Sequence, residues 1–139
     1  MMKLLATVAC LFIGGMSIAN AEDYGEMKKW SVHKFVPSGT KRPVYFVINN
    51  IQADCDSIGQ TEIRTVVKPE HGYLEFIVGQ QFMQWPKDHH LFKCNAKKIP
   101  GTVINYTSDR AFSGDDATEL LMLFPDGSAA QVQLQLHVK

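Results

Sequence analysis

Phe82, Met83, Trp85, His89, His90 and Phe92 crowd into one short stretch of the chain, and these residue types either recognise partners or hold soft metals. Large aromatic side chains dominate the energetics of protein recognition, so the stretch reads as a candidate partner-binding surface. The plainer reading, which takes precedence, is a plug for one end of the fold, with Cys94 tying it to Cys55. A third use is a copper or zinc site built from His89 and His90 with Met83 or His71, because imidazole suits either metal and a thioether suits copper. Neighbouring residues of a strand point to opposite faces, so that site needs irregular backbone.

Other groups offer less chemistry. Of the remaining histidines, His33 and His137 fall in strand-like runs and His71 in a turn, and none has a nucleophile or acid at a catalytic spacing. Ser113 lies between Phe112 and Gly114 without the strand-to-helix elbow of a hydrolase, which makes it a turn residue. Neither catalysis nor a cofactor is expected.

The elements that must position these residues read as strands. In Gln131 to Val138, Val132, Leu134, Leu136 and Val138 alternate with Gln131, Gln133, Gln135 and His137, the period of a half-buried strand. Ala117 to Phe124 precedes it across Pro125-Asp126-Gly127-Ser128, where Gly127 accommodates positive φ and Asp126 bonds its own backbone, predicting a hairpin. Trp30 to Val36, Pro43 to Asn49, Thr61 to Val67, Tyr73 to Val78 and Thr102 to Thr107 are five further strands, separated by Gly, Pro, Asn and Asp. The segment 80–101, which holds the aromatic stretch, is left as a long loop. An all-β, two-sheet antiparallel sandwich of about seven strands follows. Two runs are apolar on both sides: Leu120, Met122 and Phe124 oppose Leu121 and Leu123, and Val44, Phe46 and Ile48 oppose Tyr45 and Val47. The second faces need a cover, either from this chain or from another protomer docking on Leu121 and Leu123.

Lys3, an apolar run from Leu4 to Ile18 and the small residues Ala19 and Ala21 form a secretory leader, so residues 1–21 are a signal peptide and residues 22–139 a single domain. About 15 apolar residues fall short of the roughly 20 that span a bilayer, which disfavours an uncleaved anchor. Cys10 lacks lipoprotein cleavage spacing. The chain carries 14 basic and 14 acidic residues, and only Lys3 of these lies in the leader. That balance argues against nucleic acid as a partner. Cys55 and Cys94 remain after the leader, and in an exported chain an even pair forms a disulfide; two separate buried thiols are the alternative.

Pro69-x-His71-Gly72, Tyr106-Thr107, Phe112, Gly114 and Asp116, followed by a strand, an Asp-Gly turn and a last alternating strand, resemble the motif of bacterial Ig-like and cadherin-like tandem-repeat domains. The family has Pro where this chain has Ser108, aromatics where it has Thr118 and Leu120, and a short turn in place of 80–101. The resemblance implies an Ig-like sandwich whose motif residues record a fold and not a chemistry. By analogy with cadherin-like arrays, Asp115, Asp116 and Asp126 suggest calcium, but that ion takes six to eight oxygens, and turn capping is the expected role. Together these readings predict an exported, periplasmic or secreted, non-catalytic module that binds a protein or envelope component. A periplasmic copper- or zinc-binding protein is the alternative, and a small secreted enzyme a third.

Overall fold

A computed structural model describes residues 27–139, so the expected leader, with its cleavage after Ala21, lies outside the described residues. Among the described residues nine strands form: β1 Lys28–Val36, β2 Lys41–Ile48, β3 Asn50–Ile51, β4 Ser57–Gly59, β5 Glu62–Val67, β6 Gly72–Phe82, β7 Lys98–Ser108, β8 Gly114–Leu123 and β9 Ala129–Val138. Two sheets face each other, one ordered β1-β9-β8-β5 and the other β2-β7-β6, with β3 and β4 as a separate ribbon. The fold is an all-β sandwich. Among the described residues no helix is long and apolar enough to cross a membrane.

The β8–β9 hairpin forms as its alternation predicts. Val132, Leu134 and Leu136 are wholly buried, Val138 nearly so, and they meet Leu120 and Met122 of β8 in the main core. At the turn, Gly127 has φ 85°, its N–H bonds the Phe124 carbonyl at 2.9 Å, and Asp126 Oδ1 accepts from Ser128 N at 2.9 Å. Positive φ is what glycine supplies at no steric cost.

Three features depart from the alternation pattern. β1 joins β9 in parallel, Val32 beside Leu134, so the sandwich is not wholly antiparallel. In β2 the register with β7 shifts between Pro43 and Tyr45. That bulge adds a residue and reverses the faces beyond it, so Val44 and Val47 are buried and Phe46 and Ile48 lie opposite, correcting the simple alternation. β6 and β7 run on to Phe82 and from Lys98, which shortens the expected loop to 83–97.

Two glycines permit close backbone approach within the β2-β7-β6 sheet. A Cβ on Gly72 would lie 2.3 Å from the Thr107 carbonyl oxygen and 2.7 Å from the Tyr106 ring, and one on Gly101 would lie 2.3 Å from the Val47 carbonyl oxygen. No side chain fits at either position without moving backbone.

Candidate functional site

The segment 83–97 caps one end of the sandwich, and covalent and polar ties hold it there. Cys55 and Cys94 form a disulfide with Cα atoms 5.4 Å apart, as the paired-cysteine reading expects. Around it Leu91 and Ile99 are buried, and Met83, Trp85, Ile48 and Ile51 pack against them as a second core. The Asn95 side chain clamps the Trp85 backbone, accepting from its N–H and donating to its carbonyl, each at 2.9 Å. A 3-10 turn, Phe92–Ala96, carries Cys94 inward.

The six aromatic-stretch residues therefore divide. Met83 and Trp85 lean into the second core and serve the plug. Phe82 at 58 % and Phe92 at 42 % stay exposed, as does His90. His89 stacks between its neighbours, 5.9 Å from the Trp85 ring centroid and 4.5 Å from that of His90, and its Nδ1 accepts from Leu91 N at 3.2 Å. The cap thus presents an aromatic surface on a rigid base.

His71 lies before β6 and Met83 after it. Eleven extended residues span about 35 Å, so His71 cannot share an ion with Met83, His89 or His90, which corrects that combination. Among the described residues no three His, Cys, Asp or Glu side chains converge as a metal-holding group.

His71 serves the opposite end, where the motif residues gather round a nearly buried carboxylate. Asp116 Oδ1 accepts from Glu70 N at 2.9 Å and Ala117 N at 2.9 Å, and Oδ2 accepts from His71 N at 3.0 Å and the Tyr106 hydroxyl at 2.7 Å. The same hydroxyl lies 3.0 Å from the His71 carbonyl, and the His71 ring stacks on Phe112 with centroids 3.9 Å apart. Burial alone would raise the Asp116 pKa, but the backbone and phenol donors outweigh it and hold the carboxyl below its ordinary range. Burial, then the bond to Asp116, pushes the Tyr106 phenol well above its ordinary range, so it remains a neutral donor. These bonds tie the β6 entry, β7 and β8 into one knot.

One constellation was missed in the sequence. On the outer face of the four-stranded sheet, His33 Nδ1 lies 3.0 Å from His137 Nε2, and His137 Nδ1 lies 2.6 Å from Asp115 Oδ1. The alternation of both strands marks His33 and His137 as outward, but only the parallel β1–β9 register makes them neighbours. The three form one hydrogen-bonded chain across that face.

Set against protein-family models, curated proteins and solved structures, the chain matches none of them.

Proposed function

We propose that the chain is an exported, non-catalytic binding module with Ig-like topology, and that it recognises a protein or envelope component through the exposed part of its cap. The single observation that carries the reading is Phe92. It stands 42 % exposed on a turn anchored by the Cys55–Cys94 disulfide, where an aromatic anchor loses little freedom on binding. His90 and Phe82 flank it as exposed contributors.

The other elements of the reading have separate supports. The disulfide fits an oxidising compartment, and with the leader pattern it supports a periplasmic or secreted location. The order β1-β9-β8-β5 against β2-β7-β6 supports an Ig-like sandwich, with β8–β9 beside β5 in one sheet as F, G and C are. The Asp116 knot gives the motif shared with the cadherin-like repeats a purely structural role.

Phe92→Ser combined with His90→Ser removes exposed side chains only, so the thermal midpoint should hold while capture of a partner from envelope extract falls at least tenfold. Trp85→Ala removes half-buried area from the second core and should cost about 2 kcal/mol, visible as a lower midpoint. Unchanged capture by the double variant would remove the cap from the reading.

A further inference from the structure

The sandwich has two lateral sides, and they are finished differently. On one side β1 and β2 close together, with Trp30 Nε1 donating to the Tyr45 hydroxyl at 3.2 Å. On the other, the edge strands β5 and β6 leave a cleft of ≈ 390 Å³ between the sheets, lined by Thr61, Ile63, Phe76 and Thr102. Eight of the eleven exposed large apolar side chains among the described residues lie on β4, β5 and β6, so the apolar surface is gathered on the open side.

A free strand edge exposes a row of N–H and C=O groups, and proteins blunt such edges with charge, proline or bulges. Three of the four edges here are blunted. β1 carries Lys28, Lys29 and Lys34; β2 carries Lys41, Arg42, Pro43 and a bulge; β5 carries Glu62, Arg64 and a bulge before Val67. β6 has none of these devices. It runs eleven residues without a register shift, Gly72-Tyr-Leu-Glu-Phe-Ile-Val-Gly-Gln-Gln-Phe82, and its one charge, Glu75, is paired with Lys41 Nζ at 2.7 Å.

We infer that β6 is an interface strand, pairing antiparallel with β6 of a second copy of this chain about a two-fold axis at Ile77, to give one continuous sheet β2-β7-β6-β6-β7-β2. The sequence suits its own reverse. With the axis at Ile77, the middle residue, all eleven residues gain a partner and Gly72 lies opposite Phe82. Ile77 meets Ile77, Phe76 meets Val78, and Glu75 faces Gly79 instead of another Glu75, so no like charges oppose. Phe76 and Val78, which share one face of β6, then sit beside Val78 and Phe76 of the neighbouring protomer. Leu121 and Leu123, the other self-association candidates, are half-buried on the outer face between Arg64 and Gln131 and between Glu62 and Ala129, and offer less. A two-fold, isologous contact of this kind closes on itself and stops.

The inference goes beyond partner recognition by the cap and, although the two surfaces meet at Phe82, fails separately from it, because Phe92 and His90, the positions changed in the capture test, lie outside β6 and Val78 lies outside the cap. Sedimentation equilibrium of the exported protein should give twice the chain mass at micromolar concentration. Val78→Lys, at a position 74 % exposed, should return the monomer with an unchanged thermal midpoint while leaving cap-dependent capture intact. Ile77→Cys should cross-link to its own copy under mild oxidation, since facing Cα atoms in such a ladder stand about 4.5–5.5 Å apart, within disulfide reach. Should V78K lower the midpoint, the Ile77→Cys cross-link decides. A wild-type protein that stays monomeric at high concentration, a dimer indifferent to V78K, or absence of the cross-link would each overturn the inference.

Discussion

Asp116→Ala should strip several kcal/mol from the stability of the fold, on the order of 4 kcal/mol in all, and lower its thermal midpoint steeply, although the side chain touches no exposed surface of the cap. The substitution strips partners from the amides of Glu70, His71 and Ala117 and from the Tyr106 hydroxyl, whose nearest remaining acceptor is the His71 carbonyl. The hydroxyl is buried and the three amides part-buried, so each donor left unpaired costs toward the lower end of about 1–3 kcal/mol. The sum is on the order of 4 kcal/mol or more, a large part of the roughly 5–15 kcal/mol that holds a domain together. Asp116→Asn should do little better, because an amide nitrogen turned toward backbone N–H groups repels them. The same knot sets an acid limit. The folded-state pKa of Asp116 lies below its unfolded value, so its stabilisation is fully present above about pH 4 and is lost as pH falls through the folded value. Denaturant melts of wild type and variant at neutral and acid pH check both statements. A variant within 1 kcal/mol of wild type, on the order of one weak hydrogen bond, would remove the knot from the account.

Reducing the Cys55–Cys94 bond should have the next largest effect. It closes a loop with sequence separation 39, which on the chain-entropy account stabilises the fold by about 4 kcal/mol. For a domain of this size that corresponds to a fall in midpoint of roughly 15 °C. Cys94 is wholly buried and Cys55 nearly so, so the thiols stay in apolar surroundings and the loss falls on the cap, where Trp85 and Met83 pack on the same cluster. Calorimetry with and without reductant measures it, and protein with the bond intact should titrate no free thiol. An unchanged midpoint after full reduction would contradict the tie.

How far the sequence could be read depended on whether a feature was local. β8 and β9 were legible because their alternation runs unbroken and the turn between them states its own geometry at Asp126 and Gly127. The Cys55–Cys94 pairing was legible because only these two cysteines follow the expected leader. β2 was misread beyond Pro43, since a bulge is a register event with β7 and leaves no mark in β2 alone. The cap was overestimated as a loop because Gln80, Gln81 and Lys98 are polar residues of extended strand ends, where exposure erases the apolar pattern. Asp116 was legible as a capping residue, but not its partners at Glu70 and His71, which tertiary folding brings from the turn before β6. For the aromatic stretch, residue type could not separate Trp85, clamped by Asn95 and packed inward, from Phe92, held outward by the next turn. The parallel pairing of β1 with β9, and with it the His33–His137–Asp115 chain, lies wholly in tertiary structure.

Under the proposed function, the outward part of the disulfide-tied cap meets a partner in an extracytoplasmic compartment. A photo-cross-linking amino acid placed at position 92 in the exporting cell tests this most directly. Irradiation should yield a discrete adduct of higher mass from position 92, and none from position 133 on the outer face of β9. No adduct from position 92, or equal adducts from both positions, would contradict the claim.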